Sequence, residues 1–251
     1  VSLVDYRFDR AIATITLNSP ANRNALSAQV VHELSTHLKR ARADPEVRAL
    51  VLTHAGSTFC AGADLKEQAS EGGPQAGSER LLALLRQLVE IPKPVVARID
   101  GHVRAGGIGI VGACDIVIVS SKATFAFTEV RLGVAAALIS MTTLTRMSER
   151  DAARYLLTGD LFDASVAATS GLITAATDDL EREITAIADS LRHASPQALA
   201  ATKSLITRPV LRRLDADGED MQRLSARLFA SEEAQEGIAS FREKRPARWV
   251  C

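Results

Sequence analysis

The sequence predicts an α/β fold, and three observations carry the prediction. Strand-like and helix-like segments alternate as far as about residue 180. One of the strand segments is a long apolar run suited to burial on both faces. From Asp179 onward the pattern becomes helix upon helix. With 251 residues, 47% hydrophobic and 24% charged, the chain can fill one large domain or a domain with an appendage.

Taken in order, "AIATITLN" (11–18) alternates β-branched residues and stops at Ser19-Pro20, a strand closed by a turn. Ser27 can cap a helix in which Val30, Val31, Leu34 and Leu38 recur at helical spacing until Asp44-Pro45 ends it. "VRALVLTH" (47–54) is the doubly buried strand. The loop "AGSTFCAGADL" follows, then "SEGGPQAGSE" (70–79), whose Gly, Ser and Pro content predicts a mobile segment. Residues 81–90 read as a helix, 94–99 and 115–120 as strands, with "RAGGIGIVGACD" (104–115) between those strands. The later helices, "REITAIADSLRHAS", "PQALAATKSLITR" and the charged segment 211–242, carry more apolar face than a small appendage can hide. They are expected to pack on another subunit.

Thirty basic and thirty acidic side chains cancel, which leaves no electrostatic footprint for nucleic acid or an anionic membrane. Cys60, Cys114 and Cys251 are odd in number and lack C-x-x-C spacing, so they read as reduced thiols of a cytoplasmic protein. The histidines, His32, His37, His54, His102 and His193, offer no ligand spacing, and no metal is expected. No apolar run reaches bilayer length, and "VSLVDYRFDR" has charges where a signal peptide would be apolar. A soluble protein without a membrane partner is the expectation.

Gly107, Gly109 and Gly112 spell G-x-G-x-x-G. A dinucleotide site needs the strand to end at the first glycine and an acidic residue about 20 positions on, at the tip of the next strand. Here Asp100 to Gly106 intervene after the strand, and Glu129 lies beyond the further segment "ATFAF". The context fails, leaving two other readings. The glycines can let a helix pack closely. A small-residue turn at a helix N-terminus can also hold an anion or a transition-state oxyanion. "FCAGADL" (59–65) supplies a second turn of the same sort, and two such turns facing one point would hold one carbonyl oxygen.

In combination, "ITLNSPANRNALS" (15–27), "FCAGADL", "KPVVARIDGHVRAGGIGIVGACDIVIVS" (93–120), "FAFTEVRLGV" (125–134) and "EGIASFREKRPARW" (236–249) resemble the enoyl-CoA hydratase/isomerase, or crotonase, family. The resemblance implies a spiral of ββα units over 1–195 and a C-terminal helical region over 196–251 that builds a homotrimer or a dimer of trimers. It implies an acyl-CoA thioester as substrate, with coenzyme A entering as part of that substrate and no separate cofactor. The oxyanion donors it implies are the backbone N–H groups of Ala61 and Gly106. Ala61, Gly62, Ala63, Asp64 and Leu65 would line the thioester and pantetheine, and Arg23 would meet the CoA nucleotide. Family hydratases use two glutamates. The second maps onto Glu129 and the first onto Gly109, which can do no acid/base work.

Glu129 alone suits an isomerase, which moves one proton between two carbons, yet it can also take a proton from water and return it. The pattern "AGGIGIVGACD" with "EVRLGVAAALIS" resembles a bacterial hydratase subgroup related to methylglutaconyl-CoA hydratases, with glycine at the same position. Hydration of a 2-enoyl-CoA in fatty-acid or branched acyl-CoA catabolism is therefore the expectation. Isomerisation and acyl-CoA binding without turnover are the alternatives. On local sequence alone Glu129 reads as an ordinary surface carboxylate paired with Arg131, and only its place in the family motif makes it a catalytic candidate. Arg104 is a candidate for a CoA phosphate or an acyl carboxylate, and Lys244 or Arg245 could reach the nucleotide of a neighbouring subunit. Cys60 reads as a packing thiol, and Ala135 to Ala137 as a loosened acyl pocket.

Overall fold

The structure, a computed structural model, describes residues 2–67 and 73–251. An antiparallel hairpin opens it, β1 (Val4–Asp9) pairing with β2 (Ile12–Leu17) from Val4↔Leu17 to Asp9↔Ile12. From β2 the large sheet grows by parallel pairing through β3 (Ala49–His54), β5 (Val95–Ile99), β7 (Ile116–Ser120) and β10 (Ala175–Thr177). The strands omitted from that sheet form a smaller one in the order β4 (Thr58–Cys60), β6 (His102–Arg104), β8 (Thr124–Ala126) and β9 (Phe162–Asp163). Each circuit of the chain thus leaves a strand in the large sheet, a strand in the small sheet, and then a helix. The helices are α2 (Gly73–Glu90) after β4, α3 (Gly106–Ala113) after β6, and α4 (Ala137–Thr143) after β8. This is the expected spiral of ββα units.

The central strands read as apolar runs because both of their faces are covered. Leu50, Leu52 and Val95 face one core with Leu34 and Leu38 of α1 (Ala28–Ala43). Ala49, Val51, Val96 and Ile118 face the other, under Leu180, Ile184 and Ala188 of α7 (Leu180–His193). Each such Val, Leu or Ile contributes about 1.5–3 kcal/mol when fully buried. Ser27 caps α1 as expected, its hydroxyl accepting from the Val30 N–H at 3.2 Å.

Two expectations need correction. Residues 73–79 are the first turns of α2, not a mobile segment; 68–72 lie outside the described residues. Residues 58–60, read as part of a loop, are a strand of the small sheet, and so are 102–104, which received no assignment. The C-terminal helices also cover their own chain first. α8 (Pro196–Phe229) packs along α2 and α4 and buries Val210 and Leu214. Buried Lys203 fastens it, pairing with Asp115 at 2.7 Å and donating to the carbonyls of Leu88 and Lys93, each at 3.1 Å. The remaining helices are α5 (Glu149–Thr158), α6 (Ala164–Thr169) and α9 (Glu232–Glu243). Among the described residues no helix is long and apolar enough to cross a membrane.

Candidate active site

A cavity of about 1090 Å³ opens between the small sheet, α2, α4 and α9, and Arg23, Ala63, Gly106 and Glu129 all line it. One wall is the N-terminus of α3. Ala105, just before the helix, holds a left-handed φ of 46°, a conformation that costs an alanine about 1–3 kcal/mol and clusters at functional sites. It turns the chain into α3 so that Gly106, whose N–H at the helix start has no intrahelical acceptor, lines the cavity.

The 61–65 turn meets this helix end directly. A side chain on Gly62 (φ 91°) would place its Cβ 2.8 Å from the Ala105 Cβ and 3.5 Å from the Gly106 nitrogen, so only glycine lets the two corners touch. Cys60 supports the contact from below. Its Sγ accepts from the Gly62 N–H at 3.4 Å, and a Cβ on Gly107 would lie 2.7 Å from the Cys60 Cβ. Burial pushes the Cys60 thiol up to about 12, which makes it a packing group and no nucleophile.

The expected donor pair needs one change. The Ala61 N–H is already taken, donating to the Arg23 carbonyl at 3.1 Å, while the Leu26 N–H donates to the Gly62 carbonyl at 2.8 Å. The Ala63 N–H, by contrast, makes no backbone hydrogen bond among the described residues. Its nitrogen lies 3.9 Å from where a Gly106 Cβ would be. Asp64 folds the turn onward, its Oδ1 accepting from the Lys66 N–H at 2.9 Å, and the Leu65 carbonyl accepts from Arg242.

Glu129 opens a 3₁₀ turn, Glu129–Leu132, and lines the same cavity. It is 7% exposed, and its Oε2 is buried without a hydrogen-bond partner among the described residues. Burial raises the carboxyl to about 7, offset in part by a bond from its own backbone N–H. The surface pair with Arg131 does not form: Arg131 turns outward to Asp160 at 2.8 Å and the Thr158 carbonyl at 3.3 Å.

The glycine row in α3 serves helix packing. A Cβ on Gly109 would lie 2.6 Å from Ile139 Cγ2 and 2.9 Å from Ile139 Cβ, and one on Gly112 would lie 2.9 Å from the Thr142 backbone. Thr142 closes the contact by donating to the Gly109 carbonyl at 2.8 Å. Ile139, not a second carboxylate, therefore lines the cavity.

Arg104 and Arg245 are committed elsewhere. The Arg104 guanidinium donates to the Thr124 carbonyl at 2.7 Å and the Thr124 hydroxyl at 2.9 Å. Arg245 holds Glu236 at 2.6 Å, and Lys244 ends α9 in a left-handed conformation. Arg23 keeps its place on the cavity wall. Among the described residues, no group of three or more His, Cys, Asp or Glu side chains could hold a metal ion.

A ββα spiral around a cavity lined by a buried carboxylate and by the N-terminus of α3 is the architecture of one class of α/β proteins. The sequence profile of the Enoyl-CoA hydratase/isomerase family matches residues 7–250, and the chain belongs to that family. It superposes on the crystal structure of an enoyl-CoA hydratase from Mycobacterium avium with a TM-score of 0.93 and 48% identity, covering 100% of both chains. A Thermus thermophilus protein that carries the enoyl-CoA hydratase name provisionally is 37% identical, over 95% of this chain and 97% of its own. The mitochondrial enoyl-CoA hydratase of Pongo abelii is 30% identical, over 96% of this chain and 84% of its own.

Proposed function

We propose that the protein adds water to 2-enoyl-CoA thioesters, giving 3-hydroxyacyl-CoA, with Glu129 as its single general acid/base. The observation that carries this reading is a buried carboxylate, one oxygen of which has no partner among the described residues, in the same cavity as Gly106 and Ala63. The names of the similar proteins support it. Ionised Glu129 takes a proton from water as the water oxygen bonds to C3. The electron pair of the double bond moves onto the thioester oxygen, where the N–H groups of Gly106 and Ala63 receive it. Glu129 then returns its proton to C2, the carbonyl re-forms, and the carboxylate is restored. One donor of such a pair typically stabilises the transition state by about 2.7–4 kcal/mol. With Ile139 in the second carboxylate's place, one group performs both proton transfers.

Coenzyme A enters with the substrate, its thioester along 61–65 and its nucleotide toward Arg23, and no separate cofactor is needed. The setting we assign is cytoplasmic acyl-CoA breakdown by a homotrimer or dimer of trimers. Incubation with 2-enoyl-CoA and 3-enoyl-CoA tests the reading by product mass. A gain of one water from the 2-enoyl substrate is expected, and Glu129→Gln should still bind acyl-CoA but lose ~10²–10⁴-fold in turnover. An isobaric shift of the double bond would mark an isomerase instead, and saturable binding without product would mark a binding protein.

A further inference from the structure

We infer that α9 is a brace setting Glu129 against the oxyanion corner, with Gly237 and Arg242 as positioning residues; the inference rests on the acid/base role given to Glu129 above. The contact between α9 and the Glu129 turn is backbone on backbone. A Cβ on Gly237 would lie 2.5 Å from the Leu132 carbonyl carbon and oxygen. A Cβ on Gly133 (φ 72°) would lie 2.6 Å from the Glu233 carbonyl carbon and 2.9 Å from the Ala234 nitrogen. A glycine inside a helix costs about 1 kcal/mol against alanine, so Gly237 is explained by the approach it permits.

The gripped turn is short and leaves Glu129 little play. The Val134 N–H donates to the Glu129 carbonyl at 3.1 Å. From the other side, a Cβ on Gly159 would lie 3.0 Å from both Arg131 Nε and the Phe127 carbonyl oxygen. Farther along α9, the Arg242 guanidinium donates to the Leu65 carbonyl, in the same turn as Ala63. About 8 Å of helix, at 1.5 Å per residue, thus joins the proton carrier's wall to the oxyanion wall. The far end is locked in turn. Glu236 is buried and accepts from Arg245 at 2.6 and 3.1 Å and from the Arg248 N–H at 2.9 Å.

The test compares wild type, Gly237→Ala, Arg242→Met and Glu129→Gln on 2-butenoyl-CoA, reading kcat, KM and the Kd of free coenzyme A, with melting temperature as the check on folding. A brace predicts that Gly237→Ala lowers kcat by ~10²-fold, the effect of an ångström-scale misplacement, with the coenzyme A Kd unchanged. Arg242→Met changes an exposed side chain and should fold; it lowers kcat by ~10-fold at the same Kd. If Gly237→Ala does not fold, Arg242→Met decides alone. The brace is overturned if folded Gly237→Ala keeps its kcat, or if Arg242→Met weakens coenzyme A binding and leaves kcat intact. An active Glu129→Gln beside an active wild type would remove the role of Glu129 itself, a separate failure.

Discussion

Burial raises the Glu129 carboxyl from 4.5 to about 7, and this sets stability against chemistry at one residue. A carboxyl whose folded pKa is raised contributes its full stability below the unfolded value and loses it as pH climbs through the folded one. The window is therefore 4.5 to about 7, and the loss across it is about 3 kcal/mol. Glu129→Gln removes the charge, so it should melt above wild type at pH 8 and alongside it near pH 4.5. Equal differences at both pH values would count against a buried, ionising Glu129. Catalysis runs the other way: kcat/KM of the wild type should fall as pH drops below about 7, because the carboxylate is the form that accepts the proton from water. Glu129 was legible only through its place in "FTEVRLG"; nothing local separated it from a surface glutamate. That the Ala61 N–H is already engaged was not legible at all. Its partner is the Arg23 carbonyl, and the bond joins residues far apart in sequence.

Between elements, the contact of α3 with α4 decides why one carboxylate is missing. Gly109→Glu would supply the acid by sequence, but its Cβ meets Ile139 at 2.6 and 2.9 Å. The expected outcome is a loss of about 1–3 kcal/mol from overpacking and no gain in hydration rate, read by thermal melting and the 2-butenoyl-CoA assay. A faster, equally stable Gly109→Glu would show that α4 yields. The long elements were readable because period and caps agree, as in α1 with Ser27 and its apolar row. The short strands of the small sheet were not, since two or three residues display no period. β1 did carry a signal: Val4, Tyr6 and Phe8 alternate with Asp5, Arg7 and Asp9, but only Val4 is buried, and the charges drew attention first.

For the molecule as a whole, the C-terminal helices also serve the core of their own chain. α8 fastens to α2 and α4, and α9 meets the Glu129 turn, so the C-terminal helices belong to the single-chain core before any assembly. Apolar surface is still left over: Leu157 and Leu161 are 76% and 61% exposed, and Leu205 and Ile206 are 62% and 55% exposed. Sedimentation velocity at micromolar concentration should give about three or six times the 26.8 kDa chain mass; a monomer would discard the trimer. Helical spacing showed that these helices have apolar faces, but which partner covers a face depends on contacts distant in the chain. The contact of Ile139 with Gly109 reaches beyond the individual protein, to the paths open to its descendants. A glutamate at Gly109 alone overpacks the contact, and a smaller residue at Ile139 alone leaves a void. A carboxylate at 109 thus calls for a matching change at 139, so the two positions are coupled in any variant that restores it.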